Sequence, residues 1–359
     1  MTLLAVDWGF ILEKTILITA IISVSLVIAM YETYAERKVA GYIQDRHGPN
    51  RAGPFGILQP MADGLKLFMK EEIIPNTSNK TLFVLGPALA MLTAMMTSAV
   101  IPWGGQLHFT LFGQDRIVNL QIADINIGIL FIFGVVSMGV YGIMIGGWAS
   151  NNKFSLMAAL RGASQVISYE LPMGLSLIAL LMLTGSLKMS AITGDQIDSV
   201  YFVFYQPLGF MIFLICAFAE CNRTPFDLPE AESELNFGYH QEYSSMKLGF
   251  YLFAEYVNMF ISSAVIVSLY WGSYDIPFVS DEGLVEQIGR NWTSLLQVLS
   301  FFLKVAFTIF FFMWVRWTIP RFRYDQLMDL GWKKLVPLAL INMIITALVV
   351  LLKDNDWTF

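Results

Sequence analysis

The sequence is poor in charged residues and in cysteine, and both shortages narrow the class of protein. Of its 359 residues, 14% are charged and 56% are hydrophobic, whereas an ordinary soluble domain carries about 25% charged residues. The formal net charge of -6 argues against the basic surface that nucleic-acid binding requires. The two cysteines, Cys216 and Cys221, have a spacing that fits neither zinc nor iron–sulfur sites. The composition therefore predicts a membrane protein that binds neither metal nor nucleic acid.

Long hydrophobic runs predict about eight transmembrane helices. A helix needs about 20 predominantly apolar residues to cross the bilayer. The predicted spans are 11–35, 82–102, 125–148, 163–185, 201–221, 247–272, 295–317 and 334–352. No Lys or Arg precedes the first run, so it is expected to be a retained helix and not a secretory signal. The expected fold class is an all-α integral membrane protein, with residues 1–359 forming a single membrane domain.

The basic residues predict the orientation of the chain. Of the 22 Lys and Arg residues, 16 fall in the first, third, fifth and seventh loops or at the adjoining helix ends, and four fall on the opposite side. Basic residues concentrate in cytoplasmic loops. The loops at 36–80 and 219–246 are therefore expected in the cytoplasm and both termini in the periplasm of a bacterial inner membrane. An organelle-encoded protein would fit the same pattern.

The first cytoplasmic loop, 36–80, is predicted to contain a short amphipathic helix. Its apolar face is formed by residues at helical spacing, and charged residues lie on another face; the apolar set is Ile57, Met61, Leu65 and Phe68, and the charged set is Asp63, Lys66 and Lys70. Pro60 fits the first turn of such a helix. The basic residues of this loop admit three interpretations, which are binding of anionic lipid, docking of soluble partners, and the mouth of a tunnel for a lipid-soluble substrate.

The second cytoplasmic loop, 219–246, and the helix that follows it are rich in carboxylates. Seven occur between positions 220 and 255, against two basic residues, and they are Glu220, Asp227, Glu230, Glu232, Glu234, Glu242 and Glu255. Carboxylates crowded into a poorly hydrated place have raised pKa values and share protons. The pattern fits a proton-exchanging cluster. It fits equally a solvated acidic loop that binds the basic face of a partner.

Three ionisable residues fall inside predicted spans. Glu170 precedes Pro172 in the fourth span, Glu255 lies about two turns into the sixth, and Lys304 lies in the seventh. Ionisable residues within a membrane are expected to be functional. For the two acids the alternative is a structural hydrogen bond to a neighbouring helix. For Lys304 the candidate roles are neutralising one of these acids, relaying a proton, and snorkelling to the interface.

Three longer motifs carry a resemblance to a known family. The first comprises ERK at 36–38, GYIQDR at 41–46, GPNRAGP at 48–54 and LQPMAD at 58–63. The second is AECNRTPFDLPEAESEL at 219–235, and the third is PRFRYDQL at 320–327. Over essentially its whole length the chain resembles the NuoH family, the quinone-proximal membrane subunit of respiratory complex I.

The resemblance implies a tunnel through which quinone enters and the start of a proton-coupling path. The quinone tail is expected between the first helix, the amphipathic helix and the sixth span, and the expected tunnel residues are Arg37, Arg46, Arg51, Phe55, Asp63 and Lys66. The proton-path acids that the family implies are Glu220, Asp227, Glu230, Glu232 and Glu234. Glu170, Glu255 and Lys304 join them as ionisable residues within spans.

The resemblance also implies which cofactors and partners to expect. Quinone is the substrate, this chain binds no cofactor itself, and flavin and iron–sulfur clusters belong to partner subunits. The expected partners are the peripheral iron–sulfur and quinone-site subunits, small membrane subunits and antiporter-like subunits of complex I, together with lipids. The sequence contains no Rossmann or P-loop motif. Two alternative functions are the membrane anchor of a related hydrogenase complex and a secondary ion/proton antiporter.

Overall fold

A computed structural model describes residues 8–111, 114–197, 199–277, 279 and 281–354. The α-helices are α1 Trp8–Ile43, α2 Gln59–Met69, α3 Lys80–Thr97, α4 Gly128–Ala149, α5 Lys153–Thr184, α6 Met189–Gly194, α7 Phe202–Tyr205, α8 Pro207–Glu220, α9 Glu232–Leu235, α10 Ser245–Tyr270, α11 Asp281–Ile288, α12 Arg290–Thr318, α13 Tyr324–Asp329 and α14 Val336–Asp354. A π-helical segment, Leu330–Leu335, joins α13 to α14. The strands are β1 Gln106–Leu111 and β2 Gln114–Asn119.

The all-α membrane class is confirmed. Within the described residues, seven helical segments are long and apolar enough to cross a membrane, namely α1, α3, α4, α5, α10, α12 and the continuous segment Tyr324–Leu352. The eighth predicted span, 201–221, is divided into α7 and α8 at Gln206, whose φ of -128° and ψ of 54° are not helical. Pro207 then begins α8, because a missing N–H is harmless in the first turn. The result is an apolar helix of 14 residues.

Two helices extend beyond the predicted spans. Helix α1 continues past residue 35 to Ile43, so the loop predicted to start at residue 36 begins as helix. Helix α5 begins at Lys153, well before residue 163. Hydropathy detects only the part of a helix that is apolar enough for lipid. A helix can continue into the aqueous region because its backbone hydrogen bonds are internal.

A β-hairpin between α3 and α4 was not predicted. Strands β1 and β2 pair antiparallel, from Gln106 opposite Asn119 to Leu111 opposite Gln114. The side chain of Asn291 in α12 binds both backbone groups of His108, at 2.9 and 2.7 Å. Such short strands give a weak periodic signal beside long apolar runs. The hairpin therefore fixes the first turn of α12.

Helix α10 is the central helix of the bundle. Its most apolar stretch is 72% buried, against 11% for α1 and 22% for Tyr324–Leu352. It packs against α1, α3 and α12. The outer helices therefore present apolar faces outward, whereas polar residues of α10 lie in the interior of the protein.

Two glycines let α3 and α4 approach closely enough to receive a tyrosine from α10. A Cβ added to Gly86 would lie 2.9 Å from the Cα of Gly146, and a Cβ at either position would collide with the Tyr251 hydroxyl. That hydroxyl donates a hydrogen bond of 2.9 Å to the carbonyl of Gly142. Small residues at helix crossings commonly permit such close packing in membranes. Tyr251 is thereby held against the acidic residues described below.

The short helix predicted in the first loop is present as α2, with Pro60 in its first turn. It contacts both α1 and α10. Its apolar residues Leu65 and Phe68 are 62% and 68% exposed. The Ser245 hydroxyl, at the start of α10, donates to the carbonyl of Leu67 at 3.1 Å. Helix α2 therefore lies across the ends of the first and sixth predicted spans.

The predicted orientation can be tested by labelling single introduced cysteines with a thiol reagent that does not cross membranes. Asn76, in the first predicted cytoplasmic loop, and Gln287, in α11 on the opposite side, are both exposed. The native Cys216 and Cys221 are 0% and 1% exposed, so background labelling should be low. We expect Gln287→Cys to react in intact cells and Asn76→Cys to react only in inverted membrane vesicles. The reverse pattern would contradict the orientation.

Candidate functional site

A buried guanidinium lies at the centre of the candidate site. The Arg223 side chain is 5% exposed, and its guanidinium carbon lies 4.2 Å from the centre of the Tyr256 ring. Its Nη2 atom is 3.6 Å from Oε2 of Glu255. Burial alone would lower the pKa of Arg223, but the neighbouring side chains of Tyr256 and Glu255 raise it well above its ordinary value. Arg223 therefore remains a cation inside the protein.

One side chain of α5 fixes the turn that carries this arginine. The Gln165 amide nitrogen donates to the carbonyls of Ala219 and Phe226, at 2.8 and 2.7 Å. The backbone N–H of Phe226 also donates to the carbonyl of Arg223 at 2.8 Å. Both ends of the turn are thus joined to a fully buried residue. This arrangement directs Arg223 inward, toward α10.

Glu255 of α10 is the carboxylate opposite Arg223. It receives a hydrogen bond of 3.1 Å from the Tyr239 hydroxyl. Burial, together with the nearby Glu255 carboxyl, raises the pKa of Tyr239 well above its ordinary value, so this phenol remains a donor. The Tyr239 ring packs edge-on against Tyr251 at 5.0 Å, which links Glu255 to the α3–α4 crossing.

A second ion pair adjoins the first. The Glu36 carboxylate of α1 pairs with the guanidinium of Arg316 in α12. It also accepts a hydrogen bond of 2.8 Å from the Tyr256 hydroxyl. Because the ring of Tyr256 lies against Arg223, this one tyrosine connects the two arginine–carboxylate pairs.

Asp227 and Glu230 line a cavity of about 580 Å³ that opens to the surface. Arg316 and Arg321 line the same cavity. Burial, followed by the charge of Glu230, raises the pKa of Asp227 to about 7, although the neighbouring arginines oppose this rise. A carboxyl that titrates near neutrality can bind and release a proton when the local charge changes slightly.

Glu220, at the end of α8, lies between two smaller cavities of about 40 Å³ each. One of them is also lined by Glu255, Tyr239 and Asn258. A water molecule needs about 10–15 Å³ of such volume and several polar partners. This cavity can therefore hold water between Glu255 and Glu220. Glu170 of α5 is within electrostatic range of Glu220.

The other predicted acids of the loop are placed differently. Glu234 pairs with Arg161 of α5 at 2.7 Å, and its side chain is 43% exposed. Glu232 begins α9, and its side chain lies outside the described part of the structure. The structure therefore brings together Asp227, Glu230 and Glu255, whereas Glu234 is directed to the surface.

Lys304 is separated from these acids. Its amine donates to the carbonyls of Trp271, Ser273 and Asp275, at 2.8, 3.1 and 2.8 Å. These carbonyls follow α10, where a cation is favoured by the helix dipole. Fifteen residues separate Glu255 from Tyr270 at the end of α10, or about 22 Å along the helix. The three bonds give Lys304 a structural attachment and place it away from the acidic residues.

Two of the predicted tunnel residues meet directly. Nη1 of Arg37 lies 2.6 Å from Oδ2 of Asp63, which joins α1 to α2. Phe55 is 76% exposed, and its carbonyl accepts a hydrogen bond of 2.8 Å from the Tyr34 hydroxyl. The other three, Arg46, Arg51 and Lys66, are exposed.

Several residues of the site were missed in the sequence. They are Glu32, Glu36, Arg223, Arg316, Tyr239 and Tyr256. Glu32 lies inside a predicted span, so the argument applied to Glu170 and Glu255 should have identified it. Glu32 and Glu36 are also four positions apart, which places them on one helix face. The roles of the arginines and tyrosines depend on contacts between distant parts of the chain and had no local signal.

The site is built from carboxylates, guanidinium groups and phenols. Among the described residues, no group of three or more His, Cys, Asp or Glu side chains is arranged to hold a metal ion. Each buried arginine faces carboxylates. Such an arrangement is suited to moving protons and redistributing charge.

Comparison with known proteins gives a consistent result. A family model described as NADH dehydrogenase matches residues 16–347. The chain is 64% identical over 343 residues to a NuoH subunit of the NADH-quinone oxidoreductase of Cytophaga hutchinsonii, covering 96% of this chain and 98% of the relative. It is 61% identical over 346 residues to the corresponding protein of Flavobacterium johnsoniae, with coverage of 96% and 97%. It is 45% identical over 357 residues to that of Leptospira biflexa, with coverage of 98% for both chains.

Asp227 allows a test with a defined sign. Its pKa is raised from 3.8 to about 7 in the folded protein. Between these values the folded state keeps a proton that the unfolded state loses, so the contribution of Asp227 to stability falls as the pH rises toward 7. We expect Asp227→Asn to gain in melting temperature relative to the wild type between about pH 5 and about pH 8. A constant difference between the two melting curves would contradict this assignment.

Proposed function

This chain belongs to the NuoH family of NADH-quinone oxidoreductase subunits, and from that premise we propose that it forms the tunnel through which quinone enters and the first part of the proton-coupling path. It is a multi-pass membrane subunit of complex I. In this proposal the flavin and iron–sulfur clusters lie in partner subunits, and electrons reach quinone at the boundary with a peripheral subunit. The membrane is the bacterial inner membrane, with both termini in the periplasm.

The observation that carries the proton-path proposal is a series of carboxylates that runs from a surface cavity into the helix bundle. It begins at Asp227 and Glu230, which line the open cavity. Glu255 follows beside Arg223, and Glu220 shares the next cavity with Glu255. Glu170 adjoins Glu220 at the inner end. Ionisable groups in such a place are costly to keep and mark routes for protons.

The tunnel proposal is supported by the surface between α1, α2 and α10. The apolar side chains of Phe55, Phe68 and Met69 are 76%, 68% and 88% exposed there. Exposed apolar groups rimmed by charges mark contacts with lipids, ligands or partners. A quinone has a polar head and a long isoprenoid tail, so its route requires apolar walls with a few charged groups. The Arg37–Asp63 pair supplies charged groups beside these walls.

Helix α1 connects the two parts of the proposal. Arg37 is 52% exposed on its side chain and faces Asp63, whereas Glu36 is 5% exposed and faces Arg316. Adjacent residues therefore belong to the tunnel side and to the acidic side. Charge that develops on quinone near Arg37 acts through a low-dielectric interior, where electrostatic interactions are stronger than in water. Such a change shifts the proton affinity of the carboxylates near Glu36.

The relatives favour this function over the two alternatives. Relatives with 45% to 64% identity are named as components of NADH-quinone oxidoreductase. This supports complex I over a hydrogenase anchor. The open loop with its Arg37–Asp63 pair also has no required role in a simple antiporter.

The tunnel proposal predicts a selective loss of quinone reduction. We expect Arg37→Ala or Asp63→Ala to lower quinone-linked turnover roughly tenfold, because a misplaced substrate route slows the reaction from a distance. Oxidation of NADH by artificial soluble acceptors should be unchanged, since those acceptors do not use the tunnel. Both rates are measured on the assembled complex, and Lys70→Ala, which removes an exposed cation at the end of α2, is the matched control. Equal loss of both activities would count against a tunnel role.

The proton-path proposal predicts a joint loss of turnover and pumping. Glu220→Gln and Glu255→Gln keep the side-chain shape and remove the titrating group. We expect each to lower quinone reduction and proton pumping together by about tenfold, which corresponds to one pKa unit of lost interaction. The measurement is made on purified, assembled complex in liposomes, with the exposed Glu286→Gln as the control.

The result also separates this proposal from a docking role for the acidic loop. A docking role predicts poor assembly of the variants, with normal turnover in those complexes that do form. Wild-type turnover and a wild-type proton gradient in both assembled variants would refute the proton path.

A further inference from the structure

Helix α1 carries a buried acid that the proposed path does not use. Glu32 is 4% exposed, and neither of its carboxylate oxygens has a hydrogen-bond partner among the described residues. An ionised carboxylate without donors is strongly disfavoured in such a place. Glu32 is therefore not explained as a structural hydrogen-bonding residue.

The surroundings of Glu32 connect it to the centre of the candidate site. Its strongest charged neighbours are Arg223 and Glu36. Glu36 lies one turn further along α1 and is already neutralised by Arg316 and the Tyr256 hydroxyl. The thiol of Cys221, which begins the turn that carries Arg223, also lies within range.

Arg223 therefore faces two carboxyl groups from different helices. Glu255 of α10 lies 3.6 Å from Nη2, and Glu32 approaches from α1. The Nε and Nη2 atoms of Arg223 make no hydrogen bond to a described residue, so the guanidinium is not committed to either acid. One buried cation cannot balance two ionised carboxylates at low dielectric.

We propose that Glu32 is a further proton-carrying residue of the coupling path and shares one proton with Glu255 across the Arg223 guanidinium. When Glu255 is ionised and paired with Arg223, Glu32 carries the proton. When the Glu32 carboxyl releases that proton, Glu255 binds it, and Arg223 then balances Glu32. The proton that leaves one carboxyl is the one that the other receives, so the net charge around Arg223 does not change.

This arrangement places a proton store at the junction of the two proposed functions. Glu32 lies on the helix that carries Arg37, which contacts Asp63 on the tunnel side. A change of charge at the tunnel would alter the preference of the proton for Glu32 or Glu255. The inference rests on the proposed proton path and adds to it a residue that leads from α1 to α10.

The test uses the complete complex in liposomes and compares Glu32→Gln with Glu32→Asp. We expect Glu32→Gln to lower quinone-linked turnover and pumping about tenfold, while NADH oxidation by soluble acceptors is unchanged. In redox-induced infrared difference spectra, Glu32→Gln should remove the carbonyl stretch of one protonated carboxylic acid. Glu32→Asp should keep a shifted form of that band and recover part of the turnover, because it retains the titrating group.

Several outcomes separate this inference from the proposed function. Wild-type turnover and an unchanged carboxyl band in Glu32→Gln would overturn it. Lower stability of Glu32→Gln with an unchanged band would also overturn it, since Glu32 would then be structural only. If Glu255→Gln loses pumping while Glu32→Gln does not, this inference fails and the proton path stands. If neither variant loses pumping, the proton path itself fails.

Discussion

The burial of the Arg223 guanidinium is the constraint around which the rest of the site is arranged. A buried cation is tolerated only with counter-charges and a favourable surrounding. Glu255 supplies a carboxylate at 3.6 Å, and the ring of Tyr256 supplies a cation–π contact at 4.2 Å. The same tyrosine uses its hydroxyl to bind Glu36. Helices α1 and α10 are thus joined through a charge that neither helix carries.

The helix packing serves this arrangement. Close approach of α3 and α4 at Gly86 and Gly146 admits the Tyr251 ring, and that ring supports Tyr239, which donates to Glu255. A larger residue at either glycine would displace Tyr251 and with it the phenol that holds the acid. The residues that set the position of the carboxylate are therefore small, apolar and distant from the acidic motif. In this protein, packing between lipid-facing helices determines the geometry of an internal polar site.

The sequence was sufficient for the membrane class and for most helices, because hydropathy and span length depend on local composition. It was also sufficient to identify Asp227 as part of an acidic cluster. It did not predict the pairings, since Glu36 and Tyr256 are separated by 220 positions. Nor did it predict that Glu234 turns to the surface and pairs with Arg161. That depends on how the loop reverses direction, which no local pattern specifies.

Two cations in this protein have opposite environments, and the difference indicates which one can respond to a change in charge. Lys304 donates to three backbone carbonyls, which cannot gain or lose protons. Its surroundings are therefore fixed at every step of a reaction cycle. Arg223 faces Glu255 and Glu32, which can be protonated, and two of its nitrogen atoms make no hydrogen bond to a described residue. A cation with titratable neighbours can exchange one counter-ion for another as protons move, so the coupling is expected at Arg223.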